Sequence, residues 1–176
     1  MQYTVEKFEA DISTAEYLEN YVDVEYFQSC CRKCGNYGKV WACPPYDFDS
    51  RDLWRRYDRL HLLGYQLFYS GERTLKEMEE ALWREKQKLD EEMLELEKTT
   101  PGSLALSAGS CTRCGSCTRP EGKPCRFPQL ARHSIESIGG DVGKTIEQLC
   151  GIEIQWAKEG FLPDYYVVAG GLLTRE

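Results

Sequence analysis

Residues 60–98 read LHLLGYQLFYSGERTLKEMEEALWREKQKLDEEMLELEK, and this stretch decides the fold. Its first part, residues 60–69, is apolar and aromatic and has the length of a β-strand. Thr74 and Glu77 then form a capping box, which predicts a helix that runs to about Lys98. A strand followed closely by a long helix predicts a domain that contains both kinds of element.

Leucines recur every seven residues along the predicted long helix, which is the spacing of a zipper. However, Glu85 and Glu92 occupy other positions of the same seam, and a two-stranded coiled coil would have to bury them. The pattern therefore favours a long amphipathic helix that lies on a sheet.

Shorter elements are predicted on both sides of this stretch from capping residues, apolar runs and breakers. They are an edge strand at 2–10, a helix from Ser13 to about Val22, a loop that carries the first cysteines, a helix capped by Asp49 or Ser50, a strand at 104–108, helices at 128–138 and 141–150, and strands at 152–156 and 165–174, the last interrupted by Gly170 and Gly171. The uneven alternation predicts one α/β or α+β domain over residues 1–176, with a modest mixed sheet and two cysteine-rich metal-binding loops.

Composition excludes several classes of protein. The chain has 176 residues and a net charge of −7, which argues against a nucleic-acid binder. Its N-terminus lacks the basic and apolar regions of a signal peptide, and no apolar run reaches the ~18 residues of a membrane span. We therefore expect a cytoplasmic protein that does not bind nucleic acid or membrane.

Cysteine is the unusual feature of the composition, because nine cysteines are many for a cytoplasmic chain. An odd number without a secretory signal makes a disulfide framework improbable, and clustered cysteines more often hold metal. Eight of the nine fall into two tracts, which contain Cys30, Cys31, Cys34 and Cys43, and Cys111, Cys114, Cys117 and Cys125. Cys150 lies outside both tracts at a predicted helix end, where we expect a structural thiol.

Positive charge is concentrated where the cysteines are. Residues 26–46 carry +3 and residues 111–132 carry +4, which leaves −14 on the rest of the chain. Nearby arginine and lysine favour thiolate over thiol and offset the negative charge of a four-thiolate metal site.

The second tract has the more specific spacing. Three cysteines separated by two residues each, Cys111, Cys114 and Cys117, are typical of [4Fe–4S] sites in ferredoxins. Zinc remains the alternative, although the chain has only two histidines to complete a zinc site. The fourth ligand is either Cys125, which is near in sequence, or Cys43, which is followed by proline as in ferredoxins.

The first tract is less regular. Cys30, Cys34 and Cys43 supply three thiols, and Cys31 supplies an additional one. A cluster with three thiolates has an open iron that can bind substrate, whereas a fourth thiolate from Cys31 would close the cluster and favour electron transfer. His133 is a further candidate ligand or proton donor, and we expect it on the surface.

Two motifs together resemble a family of small prokaryotic proteins described as predicted metal-binding proteins, a domain of unknown function. The motifs are C-x3-C-x3-G-K-x-W-x-C-P-P-Y at 30–46, and CTRC-x2-C with PCRFP and AR-x-S-x-E at 111–136. The resemblance implies metal binding, with iron–sulfur as the expected form. It implies as metal ligands Cys30, Cys34, Cys43, Cys111, Cys114, Cys117 and Cys125, and as polar residues that hold the cofactor Arg126, Arg132, Ser134 and Glu136. Asp141 also matches a polar position of the family.

The sequence departs from the family pattern at three positions. His133 stands where proline is expected, Gly140 stands where isoleucine is expected, and Cys31 is additional. Arg132 and Glu136 are four residues apart on the predicted helix 128–138, where they can also pair with each other.

The sequence predicts a redox protein with one or two [4Fe–4S] clusters that transfers electrons to or from a partner protein. One alternative is a zinc-stabilised binding module. The other alternative is an enzyme that binds substrate at a three-thiolate cluster.

Overall fold

A four-stranded antiparallel sheet forms the centre of the protein, and the computed structural model describes all residues, 1–176. Helices cover both faces of this sheet. The elements are β1 (Gln2–Ser13), α1 (Thr14–Asn20), α2 (Val24–Arg32), α3 (Ser50–Arg55), β2 (Arg59–Ser70), α4 (Leu75–Thr99), β3 (Leu104–Leu106), α5 (Val142–Cys150) and β4 (Tyr165–Thr174). Two short 3₁₀ helices, Arg119–Glu121 and Glu136–Ile138, interrupt the loops.

The strands lie in the order β1-β2-β4-β3, so β1 is at an edge as predicted. Every pairing is antiparallel, and the parallel part of the expected mixed sheet does not occur. β4 continues through Gly170 and Gly171, where the sequence predicts an interruption. A Cβ atom at Gly170 would lie 2.7 Å from the carbonyl oxygen of Leu106 on β3. The glycine therefore permits a close approach within the sheet rather than ending the strand.

The predicted long helix is confirmed as α4, and it lies on one face of the sheet. Thr74 and Glu77 form the capping box at its start. The side chain of Glu85 is buried against the sheet and accepts a hydrogen bond from Tyr3 at 2.9 Å. Glu92 accepts one from Lys7 of β1 at 2.7 Å. Glu85 and Glu92, whose positions disfavour a zipper, are therefore bound to the sheet. No helix, α4 included, is long and apolar enough to cross a membrane.

The opposite face of the sheet packs against α1, α3 and α5 in a second hydrophobic core. Tyr17 and Trp54 are fully buried there, with ring centroids 4.9 Å apart. The indole N–H of Trp54 donates to the carbonyl of Ile138 at 3.0 Å, which ties this core to the loop that follows the second cysteine tract.

Two predicted elements are wrong. Residues 128–138 do not form a helix, because Ser134 and Ser137 hydrogen bond to each other's backbone N–H groups, and Ser107 N–H binds the carbonyl of His133. Residues 152–156 do not form a strand. Their isoleucines pack on the core beside α5 without pairing to the sheet.

Candidate metal centre

The first cysteine tract begins inside a helix, not in a loop as predicted. Asp23 caps α2 by accepting a hydrogen bond from Tyr26 N–H, and Cys30 and Cys31 lie in the last turn. Cys34 follows in the turn that closes α2, where its N–H binds the carbonyl of Cys31 at 2.9 Å. The helix was missed because its apolar pattern is short and none of its residues is fully buried.

Residues 139–141 hold the start of α2 in place. Asp23 N–H binds the carbonyl of Gly139 at 2.9 Å, and Asp141 N–H binds the carbonyl of Tyr21 at 2.7 Å. Gly139 has a φ of +91°, and a Cβ atom there would lie 2.8 Å from Cα of Val24. Only glycine both adopts this positive φ readily and leaves room for Val24. This contact positions the cysteines of α2 against the segment that contains Glu136.

Three cysteines of the first tract line a cavity of about 200 Å³, which we call the first cysteine cavity. They are Cys31, Cys34 and Cys43, whereas Cys30 is exposed and does not line it. Ser134 and Glu136 form part of the opposite wall. Cys31, which is additional to the motif, therefore faces the cavity, and the motif residue Cys30 beside it faces outward.

All four cysteines of the second tract line a larger cavity of about 600 Å³, the second cysteine cavity. The loop is closed by Thr118, whose hydroxyl donates to the carbonyl of Pro124 at 2.8 Å. Arg126 donates to the carbonyl of Ser116 at 2.6 Å and so fixes the segment between Cys114 and Cys117. Cys125 lines this cavity and Cys43 does not, so the geometry matches the uncrossed assignment of ligands.

The two cavities adjoin each other. Asn36 and Ser110 line both, and Cys43 Sγ lies 3.5 Å from Ser110 Oγ. Ser110 directly precedes Cys111 in the chain. The sites are thus separated by a thin wall, although their cysteines are far apart in sequence.

Arg119 connects the two tracts, although no sequence motif marks it. Its guanidinium donates to the carbonyls of Val40, Cys43 and Pro45 in the first tract. The same group lies 5.2 Å from the ring centroid of Trp41. Its position in a basic stretch beside the cysteines was the only signal for it.

His133 is partly buried, not on the surface as predicted, and it supports the loop that carries Cys43. Its Nδ1 lies 3.0 Å from the carbonyl oxygen of Ala42. Its ring packs edge-on against Tyr46, whose hydroxyl also lies 2.6 Å from that oxygen. Burial lowers the pKa of His133, and a neutral ring can donate from Nδ1 to this carbonyl. His133 lines neither cysteine cavity.

Burial also governs the thiols and the carboxyl group of the sites. It raises the pKa of Cys31, Cys43 and Cys111, while Ser110 and the charge of Arg119 partly offset the effect at Cys43. Burial raises the pKa of Glu136 as well. Because a metal needs the thiolate, loading of these sites must release protons.

The four polar residues implied to hold the cofactor have different positions. Ser134 and Glu136 line the first cysteine cavity, and Arg126 shapes the loop of the second. Arg132 does not pair with Glu136 as predicted. It makes a two-pronged contact with Glu97 of α4, with Nε–Oε2 at 2.7 Å and Nη2–Oε1 at 3.1 Å. The predicted pair failed because it assumed a helix that does not form.

The donor set fits a sulfur-ligated metal. Seven thiols line two cavities, and soft thiolate ligands select zinc, Cu(I) or iron–sulfur clusters. No three Cys, His, Asp or Glu side chains form a group that could hold a single ion as they stand. The fold therefore brings the two cysteine tracts together as two adjoining cavities lined by thiols.

The comparison with protein families indicates a metal-binding protein. The model of the family "Predicted metal-binding protein (DUF2284)" matches residues 18–173, and the chain belongs to this family. The matched range includes both cysteine tracts. Comparison with curated proteins and with solved structures finds no match.

Proposed function

We propose that the protein is a cytoplasmic iron–sulfur protein that transfers electrons, with one [4Fe–4S] cluster in each cysteine cavity. The observation that carries the proposal is the convergence of seven cysteines on two adjoining cavities. Such clusters, when bound, exchange single electrons at potentials that hydrogen bonds and burial adjust. The thin wall at Ser110 supports exchange between the two sites.

The chain's own residues would adjust the two sites differently. Arg119 places a positive charge beside Cys43, and positive charge near a site favours its reduced form. The second cavity is lined by Trp41 and Phe127, which are 38% and 39% exposed. We propose the second site as the one that meets a redox partner protein, because its rim is at the surface.

A second candidate function is an enzyme that binds substrate at an open iron of the first site. One observation favours it, because only three thiols line the first cavity, and the carboxyl group of Glu136 faces the same space. Under this alternative Cys30 remains a free surface thiol. Under the electron-transfer proposal Cys30 or another group closes the cluster.

The proposal is tested by assaying iron, acid-labile sulfide and zinc in protein purified without oxygen. We expect about eight irons with matching sulfide, and about four in each of the variants Cys31→Ser and Cys114→Ser. Cys150→Ser is the matched control and should retain the full content, because Cys150 lines neither cavity. Zinc without sulfide would overturn the proposal and support a zinc-stabilised binding module.

Cys30→Ser separates the two candidate functions. If Cys30 closes the first cluster, this variant should fall to about four irons, as Cys31→Ser does. If it keeps about eight irons while Cys31→Ser loses about half, Cys30 is not a ligand and only three thiolates hold the first cluster, as the enzyme alternative requires.

A further inference from the structure

A third cavity, of about 850 Å³, lies beside the first cysteine cavity, and neither the family nor the sequence motifs account for it. We call it the apolar cleft. Its walls come from α4, from the outer half of β4, from the start of α5 and from residues 154–157. The volume is in the range of sites that enclose a small organic molecule, about 300–1,000 Å³.

Aromatic rings dominate the rim of the apolar cleft. Trp83 and Trp156 both line it, and they are 50% and 69% exposed, which is unusual for the largest apolar side chain. Phe27 and Tyr166 add two more rings. Rings on several sides of a concave space suit a flat ring compound, since stacked and edge-on contacts can form at once.

The apolar cleft adjoins the first cysteine cavity, and Lys86 is close enough to Glu136 for its charge to oppose the effect of burial on the pKa of that carboxyl group. Glu136 and Gly109 line both spaces, so the two are neighbours. Lys86 also lines the cleft, with a side chain only 13% exposed. Its ammonium group donates to Asp90 at 2.5 Å, and this is its one hydrogen bond within the protein. An ammonium group has three donors, so Lys86 can still donate to a ligand.

The charges of the cleft restrict the ligand further. Lys86 is paired with Asp90, and the lining also contains the acidic residues Glu79, Glu136 and Asp141. An anionic ligand would meet these acidic residues, and a cationic group would offer no acceptor to the ammonium group of Lys86. An uncharged molecule avoids both costs.

We propose that the apolar cleft binds a small, uncharged aromatic compound whose carbonyl or hydroxyl oxygen accepts a hydrogen bond from Lys86. The polar end of the molecule then lies next to the first cysteine cavity. Binding does not depend on the identity of the metal; only a role for the compound as a redox substrate would rest on the proposed function.

The test uses 2-acetylnaphthalene as the probe, titrated by ligand-observed NMR into protein purified without oxygen and assayed for metal. We expect saturable binding. 2-Ethylnaphthalene has the same shape without the carbonyl and should bind about tenfold more weakly, because it leaves the hydrogen bond to a charged donor unmade. Naphthalene-2-carboxylate should also bind more weakly, because of its charge. Equal binding of all three probes would contradict the assigned role of Lys86.

Gly143→Leu is the variant that fills the cleft. A Cβ atom at Gly143 meets only Asp141 Oδ1 at 3.5 Å and Ile154 Cδ1 at 4.0 Å, and all three residues line the cleft. Leucine also has the higher helix propensity, so α5 should not lose stability. We expect at least about tenfold weaker binding of 2-acetylnaphthalene with no fall in Tm.

Trp156→Ala provides an independent variant, and Phe161→Ala is its matched control. Phe161 is 50% exposed but does not line the cleft. Weaker binding in the first variant and unchanged binding in the second support the proposal. Absence of probe binding overturns it, as does dimerisation that Trp156→Ala abolishes, which would make this face a protein interface. A sample that contains zinc without acid-labile sulfide refutes the proposed function, while the binding result still decides this inference.

Discussion

Replacement of Arg119 by methionine tests whether one side chain fixes the geometry of both metal sites. Methionine keeps most of the apolar stem and removes the guanidinium group. The change eliminates the hydrogen bonds to the carbonyls of Val40, Cys43 and Pro45, together with the contact to the Trp41 ring. The loop that carries Cys43 would then be free to move away from Cys111.

The expected loss in free energy of unfolding depends on which carbonyl groups lose their only hydrogen-bond donor. Val40 O keeps a second hydrogen bond, from Cys43 N–H at 3.0 Å, whereas Cys43 O and Pro45 O have no other donor. Two partly solvated hydrogen bonds at about 1 kcal/mol each, with about 0.5–1 kcal/mol for the ring contact, give about 2–3 kcal/mol. For a chain of this length, that corresponds to a fall of roughly 4–12 °C in Tm.

The assay is thermal unfolding of metal-free protein, followed by iron and sulfide analysis of the protein purified without oxygen. Arg55→Met is the matched control, because Arg55 makes only an exposed ion pair with Asp52 at 2.8 Å. We expect Arg119→Met to lose iron from the first site as well as stability. If both variants show the same Tm and the same iron content, the reasoning that Arg119 joins the two tracts is refuted.

Three further predictions concern the frame around the sites. Asp90→Asn leaves the buried charge of Lys86 without its carboxylate and should lower the free energy of unfolding by about 3–5 kcal/mol in urea titrations. The control Asp52→Asn, at an exposed ion pair, should cost less than about 1 kcal/mol. Gly139→Ala, which forces a Cβ against Val24, should cost more than about 2 kcal/mol and deplete the first site of iron; an unchanged urea midpoint would contradict this. In metal-free protein, the free energy of unfolding should fall above about pH 9, because burial raises the pKa of Cys31, Cys43 and Cys111 and the unfolded chain therefore releases these thiol protons first. Constant urea midpoints between about pH 7.5 and 10 would exclude a raised pKa at these three thiols.

The frame of the fold could be predicted from sequence because local signals agree there with tertiary packing. The capping box at Thr74, the caps at Ser13 and Asp49, and the apolar run from Leu60 to Tyr69 each correspond to an observed element. Each signal depends on neighbouring residues only. The glutamates on α4 were informative as well, because a buried carboxylate needs a partner and the sheet supplies one in Tyr3.

The loops of the site could not be predicted because their backbone is held by distant groups. Residues 128–138 have the apolar spacing of a helix, but the serines at 134 and 137 satisfy the backbone in a tighter turn. Likewise α2 depends on a pairing with residues 139–141. Neither contact leaves a pattern in the local sequence.

Sequence spacing also fails to predict which of two adjacent cysteines faces the first cysteine cavity. The motif spacing indicates Cys30, Cys34 and Cys43, yet helical geometry rotates each residue by about 100° from the preceding one. Cys31 therefore faces inward when Cys30 faces outward. Spacing alone cannot decide between them, because the answer depends on the rotation of α2 about its axis, which Gly139 and Asp141 fix from a distant part of the chain.

The two hydrophobic cores are built without the cysteines that line the cavities. Neither core contains any of the seven cysteines that line the cavities, and the cores are built from the sheet and the helices that cover it. Asp90 on α4 binds Ala108 N–H at 3.0 Å, directly before the second tract, and Arg132 binds Glu97 on the same helix beyond that tract. Both ends of the second tract are thus attached to α4 by side chains that are not metal ligands. We therefore expect the metal-free chain to fold, in contrast to zinc fingers, in which the metal supplies the folding free energy itself.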